Sequence, residues 1–373
     1  MQILMLTPHP DVSGPIMKHT PILIEELKRR NCTVDTTYWG AGANGEKLAR
    51  KITGRFSNVV QARRLLCRKK YDVVIVKTAH DWKSVIRDMV FLFATKGVRP
   101  LTILQIHGSQ SHRLERDKPV LFKQATKVVL DHCDGVLLLS KEERRDFIRF
   151  YGTDKFSLVE NPLVSNNIEM TEEDQWVLPK ADHTLLFVGR LVKEKGVFEL
   201  LDSFSAVAKK KDIHLLMLGF GSEKDAVKKK LDELDLSSKV TLGGFATGGK
   251  LVAAYHAADI LVLPSWMEGF PTVITEAMQY GTAIITTPIR GAADHLVEGE
   301  NVVFTPVKDA AALARNIEKL LVDMKLRHRI VEANKVKVQN FAPGPVAERY
   351  LNSIHEVARA KEKYNNAAKI SIN

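Results

Sequence analysis

A chain of 373 residues is too long for one ordinary hydrophobic core and suits two domains. Apolar residues make up 45% of it and charged residues 27%, the composition of a soluble globular protein, and no apolar run approaches the ~20 residues that span a bilayer. The net charge of +11 lies in residues 1–150, where 27 Lys and Arg face 15 Asp and Glu, while the rest of the chain balances 28 against 29. Cys32, Cys67 and Cys133 are odd in number and widely scattered, fitting neither a disulfide framework nor a zinc spacing. A reducing cytosol is the expected home.

The opening run Gln2–Leu6 reads as a first strand; it lacks the charged segment that precedes a signal peptide's apolar stretch. Further strands are predicted at Thr33–Tyr38, Val73–Val76, Leu101–Ile106, Gly135–Leu139 and Phe156–Val159, with helix-period segments between them. The most basic of those segments covers residues 48–70. There Leu48, Ile52, Phe56, Val59, Val60 and Leu66 recur at helical spacing among Arg50, Lys51, Arg55, Arg63, Arg64, Arg68, Lys69 and Lys70. Such a helix can insert its apolar face into an anionic membrane, or pack that face on a sheet and leave the charges in solvent. Both readings stay open. Nucleic acid is not expected as a partner, because no helix-turn-helix, zinc knuckle or aromatic stacking platform accompanies the charge.

The acidic, Asn- and Thr-rich segment Val164–Lys180 interrupts the alternation. A second set of strands follows at Thr184–Val188, His214–Leu218, Val240–Leu242, Ile260–Leu263, Ala283–Thr286 and Asn301–Phe304. Strand and helix alternating twice predicts an α/β chain of two open, Rossmann-like parallel sheets with a deep cleft between them. The expected boundaries are a first domain at 1–163, a linker at 164–182, a second domain at 183–342 and a long polar helix within 343–373.

Two motifs in the second half carry chemistry. In WMEGFPTVITEAM (Trp266–Met278), a buried strand ends at Pro264 and Ser265, Gly269 permits a tight turn, and Pro271 suits the first helical position. Glu268 in the turn and Glu276, about one and a half helical turns past Pro271, can face one crevice. Carboxylates suit sugar hydroxyls and free helix-start amides suit a diphosphate, so the pair fits a nucleotide-sugar. The second motif, FVGRLVKEKGV (Phe187–Val197), sets Arg190 and Lys195 just beyond a strand, where ligands of α/β sheets usually bind. Their charges can neutralise a leaving diphosphate, Arg as a fork and Lys as a point charge.

With these motifs, the chain resembles retaining glycosyltransferase family 4, the group 1 enzymes of GT-B fold. The resemblance extends through MQILMLTP, the loop Asp11–Gly14, LTILQIHGS, VLLLSKEERRDF, VENPL, LLMLGFGSE and VTLGGF to the closing helix. It implies a GT-B architecture whose C-terminal helix crosses back to the first domain. It further implies that Glu276 binds ribose hydroxyls and Glu268 the donor-sugar hydroxyls. The backbone of Gly269, Phe270 and Pro271 would hold sugar and phosphate, Phe245 would lie beside the nucleobase, and Gly14 would approach the donor phosphate. His107 resembles the family's active-site histidine; on its own, a histidine at a strand end is as well explained as a structural residue. Here Ser13-Gly14-Pro15 replaces the paired glycines of many relatives.

A nucleotide-sugar reacts when its diphosphate departs, and many transferases hold a divalent metal on an Asp-x-Asp triplet for that purpose. This sequence has no such triplet at a strand end, so no metal or cofactor is expected: Arg190, Lys195 and the helix start would supply the positive field. The expected partners are a nucleotide-sugar donor, a UDP-sugar by default with GDP-mannose as the alternative, and a saccharide or lipid-linked acceptor in cell-envelope polysaccharide or glycolipid synthesis. The expected location is the cytosol, with peripheral attachment to the inner face of the cytoplasmic membrane as an open alternative. Two other classes remain: a non-hydrolysing UDP-sugar epimerase of the same architecture, and a non-catalytic basic membrane-associated protein.

Overall fold

The computed structural model describes residues 1–9, 15–39, 48–115, 120–164 and 170–370. Gly14 and the loop Asp11–Gly14 lie outside the described residues. Two compact units divide the chain: Met1–Val164 with Phe341–Asn373, and Ser165–Asn340.

The first unit holds strands β1 (Gln2–Thr7), β2 (Thr33–Tyr38), β3 (Val73–His80), β4 (Leu101–Ser109), β5 (Gly135–Leu138) and β6 (Phe156–Leu158). They form one parallel sheet in the order β2-β1-β3-β4-β5-β6. Its helices are α1 (Pro15–Arg29), α2 (Leu48–Arg68), α3 (Trp82–Ala94), α4 (Val120–Asp131) and α5 (Lys141–Tyr151). The sheet is covered on both faces, which is why Ile3 to Leu6 and Val73 to Val76 are apolar without alternation and fully buried. Leu4, Leu6, Val74, Val76 and Leu104 pack with Val59, Leu66, Val85, Leu92, Phe122 and Phe147 of α2–α5. The opposite face packs with Leu23 and Leu27 of α1 and with Val346, Tyr350 and Ile354 of the last helix of the chain.

The second unit holds β7 (His183–Val188), β8 (Ile213–Leu218), β9 (Val240–Gly244), β10 (Ile260–Leu263), β11 (Ala283–Thr286) and β12 (Val303–Phe304). These are parallel in the order β12-β11-β10-β7-β8-β9. Between and after them run α6 (Val197–Ala208), α7 (Lys224–Glu233), α8 (Gly248–His256), α9 (Thr272–Tyr280), α10 (Arg290–His295), α11 (Ala310–Val322) and α12 (Met324–Lys337). The chain then re-enters the first unit as α13 (Pro343–Ile370), where Tyr350 donates its hydroxyl to Gln105 Oε1 at 2.9 Å and Arg349 pairs with Glu160 at 2.9 Å.

Four differences from the sequence reading have physical causes. Strands β3 and β4 continue past Val76 and Ile106 because buried polar side chains find partners there: Lys77 Nζ donates to Gln105 Oε1 at 2.9 Å. Pro271 is the N-cap of α9, with Thr272 the first helical residue. Residues from Glu172 onward pack on the second unit, where Trp176 Nε1 donates to the Lys250 carbonyl at 2.8 Å and Lys250 lies 4.5 Å over the indole. Finally, Val59, Ala62 and Leu66 of α2 are committed to the core and cannot insert into a membrane, whereas Val60 is exposed. The side chains of residues 48–56, including Phe56, lie outside the described residues.

Candidate functional site

The strand ends of the second unit assemble the site. After β7, Gly189 N–H donates to the Leu218 carbonyl and Gly219 N–H to the Gly244 carbonyl, so three successive strand ends are tied together. Gly219 sits at φ 141°, and a Cβ there would strike the Gly189 carbonyl. The chain then forms a single 3-10 turn, Lys193–Lys195, and reverses into α6 through Gly196, whose φ of 69° suits glycine. A side chain at Gly196 would also collide with the Pro264 carbonyl, where β10 ends. Close approach of these two loops is therefore built into the backbone. Trp266 N–H donates to the Glu194 carbonyl at 2.8 Å and completes the join.

Through this join Lys195 Nζ forms an ion pair with Glu268 Oε1, both side chains being mostly buried. Ser265 Oγ also donates to Glu268 Oε1, at 3.3 Å, and its own carbonyl accepts from Thr287 Oγ1 at 2.6 Å. Burial, followed by the nearby charge of Arg190, brings the Lys195 ammonium down to about 8; the Glu268 contact acts in the opposite direction. Arg190 itself is exposed and makes no ion pair with a described residue.

Glu276 occupies the inward face of α9 and is buried. The hydroxyl of Tyr255, a fully buried residue of α8, donates to Glu276 Oε2 at 2.8 Å. Burial and the adjacent Glu276 raise the Tyr255 phenol well above its ordinary value, which keeps it a donor. Gly269 accepts a hydrogen bond from Gly291 N–H at 2.7 Å, and the Phe270 ring is buried 4.9 Å from His295, so only the backbone of this turn is presented. Phe245 is exposed and lies parallel to Phe220, ring centres 6.1 Å apart. The pair makes an aromatic platform at the end of β9.

Arg190, Lys195, Phe245, Glu268, Gly269, Phe270, Pro271 and Glu276 thus all lie in the second unit, on the loops and helix starts that follow its strands. His107 lies in the first unit, within β4. Its Nε2 is buried without a hydrogen-bond partner among the described residues, and burial, then the charges of Lys77 and His19, hold the ring well below the imidazole range. Asp81, at the end of the neighbouring strand β3, caps α3 by accepting from Ser84 N–H at 3.0 Å. Several neighbours were not evident in the sequence: Tyr255 behind Glu276, Ser265 on Glu268, and Trp266, whose Nε1 donates to Glu199 Oε1 at 3.2 Å beneath Lys308. Only Ser265 is near enough in sequence to its partner to have been guessed.

Two parallel six-stranded units, with a charged site at the strand ends of the second, define a GT-B protein. The family model described as Glycosyl transferases group 1 matches residues 169–337, which lie in the second unit. The chain is 28% identical over 218 residues to the capsular polysaccharide biosynthesis glycosyltransferase CapM of Staphylococcus aureus, covering 58% of this chain and 56% of CapM. It is 24% identical over 318 residues to the undecaprenol-PP-linked glycan alpha-1,4-N-acetyl-D-galactosaminyltransferase of Campylobacter jejuni, covering 84% of this chain and 83% of that one. The chain spans roughly half the length of several curated relatives that it matches. In fold it is similar to Anabaena HepE, solved with UDP and glucose, at a TM-score of 0.72 and 16% identity over 95% of this chain and 100% of that one.

Proposed function

We propose that the chain is a retaining glycosyltransferase that moves a sugar from a UDP-sugar to a saccharide or lipid-linked acceptor, in cell-envelope polysaccharide or glycolipid synthesis. The observation that carries this reading is the single site at which Lys195, Arg190, Glu268 and the amide end of α9 converge, with Glu276 held one helix face away. UDP and glucose bound to HepE and the glycan-building names of the relatives support it.

In this reading Glu276 takes the ribose hydroxyls and Phe245 lies beside the uracil. Arg190, Lys195 and the first amides of α9 receive the diphosphate, and Glu268 the sugar hydroxyls. The bond between the anomeric carbon and the diphosphate oxygen breaks, with its electron pair leaving on that oxygen. The acceptor hydroxyl attacks from the same face and passes its proton to the departing phosphate, so configuration is retained. His107 takes the part of the family's active-site histidine in this reading. Positive side chains and helix amides stabilise the leaving charge where other transferases use a metal ion, and the reaction proceeds without one.

A thermal-shift panel of UDP-, GDP- and dTDP-sugars tests donor recognition, because a ligand that binds the native state stabilises it in proportion to occupancy. Stabilisation by a UDP-sugar is expected. A flat response to the whole panel would overturn the proposal.

A further inference from the structure

A group of nitrogen bases lies buried in the first unit with no anion to meet it. Lys77 on β3 and Gln105 and His107 on β4 continue the alternation of Val73, Ile75, Leu101 and Ile103, so their side chains turn to the sheet face covered by α1 and α13. Lys77 and His19, the latter on α1, are each 2% exposed. Lys77 Nζ gives one of its three donors to Gln105 Oε1, which also accepts from Tyr350 of α13. Both ring nitrogens of His19, Nε2 of His107 and Oδ1 of Asn161 are buried without a hydrogen-bond partner among the described residues. Buried polar atoms are nearly always satisfied, so orphans gathered in one place call for a missing partner.

What the group lacks is negative charge. Burial, opposed by the Pro162 backbone and then joined by the charges of Lys77 and Lys18, brings the His19 ring down to about 4. Burial alone takes the Lys77 ammonium down to about 7. His107 is lowered by burial and then by Lys77 and His19, so the bases act on one another, and no carboxylate among the described residues offsets them. Glu160, beside Asn161, is paired with Arg349 of α13 at 2.9 Å. The Tyr350 phenol is raised by burial and stays a neutral donor. The place is also open at one edge. His107 and Asn161 are half-buried, and a side chain on Gly108, the exposed residue next to His107, would meet nothing within 4 Å.

We propose that Lys77, His19, His107 and the Asn161 amide form a subsite for a phosphoryl group carried by the acceptor. A phosphoryl dianion has three oxygens to take donors from several side chains at once, and its charge offsets the ammonium that burial leaves unpaired. All of these residues belong to the first unit, whereas the groups assigned to the donor diphosphate, Arg190, Lys195 and the amides of α9, belong to the second. A second phosphoryl-binding group therefore serves the other substrate. The assignment rests on the reading of the chain as a transferase with its donor in the second unit, and it narrows the acceptor to a phosphorylated saccharide or lipid.

Calorimetry of the full chain with sodium sulfate, with and without saturating UDP, decides the matter. Sulfate has the shape and charge of a phosphoryl dianion and does not itself titrate near neutral pH, and UDP removes the donor site from the measurement. Sulfate is expected to bind in the presence of UDP and to take up protons at pH 7, seen as a heat that varies with the ionisation enthalpy of the buffer. Its affinity should fall by up to about tenfold per pH unit above pH 7, because the anion favours the charged form of Lys77. Lys77→Met and His19→Leu should each weaken sulfate by at least about tenfold, the scale of a hydrogen bond to a charged group, and leave UDP affinity as it is. The proton uptake is read on the unaltered chain, so a variant that fails to fold does not spoil the test. Methyl phosphate and a hexose 1-phosphate, which carry the same group on carbon, should bind at least as tightly as sulfate. Refusal of both esters would assign the cluster to a free inorganic ion, and sulfate binding that UDP abolishes would assign it to the donor; either result overturns the proposal. So does the absence of sulfate binding, binding that is independent of pH, or undiminished binding by Lys77→Met. Stabilisation by UDP-sugars alongside any of these failures would leave the donor reading standing and remove this subsite alone.

Discussion

Lys195 and Glu268 neutralise each other in this structure, although each is the residue suited to a different part of a nucleotide-sugar. The ammonium fits the diphosphate and the carboxylate fits the sugar hydroxyls, so in the proposed reading donor binding exchanges one set of partners for another. Removing the carboxylate's charge therefore has opposite effects on the two halves of the ligand. Glu268→Gln should bind free UDP about fivefold more tightly, the scale of one partly screened ion pair, while its turnover of the full donor falls. Calorimetry with UDP and a steady-state assay check both; weaker UDP binding in Glu268→Gln would contradict the exchange.

Arg190→Ala and Lys195→Ala should each lower turnover by about a hundredfold or more, the usual loss for one preorganised contact to developing charge. Arg190 is exposed, so its variant should keep its melting temperature, whereas Lys195→Ala leaves the mostly buried Glu268 without its counter-charge and should melt lower. Wild-type rates in either variant would remove the residue from the diphosphate site.

Burial places Lys195 at about 8, and only its protonated form carries the charge that a diphosphate needs. The kcat/KM of the free enzyme should therefore fall as pH rises through about 8. Glu268→Gln removes a neighbour that favours the ammonium, and the limb should move to lower pH. Lys195→Arg should carry it to much higher pH, since a guanidinium stays protonated there. A profile unmoved by both substitutions would show that another group titrates.

Tyr255 never reaches the site surface, yet it donates to the carboxylate assigned to the ribose. Tyr255→Phe should weaken UDP binding by about tenfold, in line with ~1.5 kcal/mol for a hydrogen bond to a charged acceptor. Glu276→Ala should cost at least as much. Affinity for uridine diphosphate alone is the informative measurement, because the ribose contact exists before reaction; unchanged values would end the assignment.

Activity should persist in excess EDTA, because in the proposed reading the leaving charge is met by Arg190, Lys195 and the amides of α9. Loss of turnover on chelation, restored by magnesium or manganese, would show that these groups are insufficient.

The sequence by itself determined the class of fold and singled out the charged residues that the second unit sets beyond its strand ends. Apolar runs such as Ile260–Leu263 and Ala283–Thr286 are legible because strands buried on both faces must be apolar throughout, and the helices between them keep a different period. Glu268, Pro271 and Glu276 are legible because one turn and one helix fix their spacing. Tertiary structure alone decided what those residues touch. Lys195 meets Glu268 because Gly196 lets the loop after β7 lie against Pro264 at the end of β10, and strand order, not sequence distance, makes β7 and β10 neighbours. Tyr255 comes from a different helix than Glu276 for the same reason. The basic segment shows the limit most clearly. Helical spacing places Val59 and Val60 side by side in an amphipathic stripe, but only packing could bury Val59 in the core and leave Val60 beside the exposed face of α3.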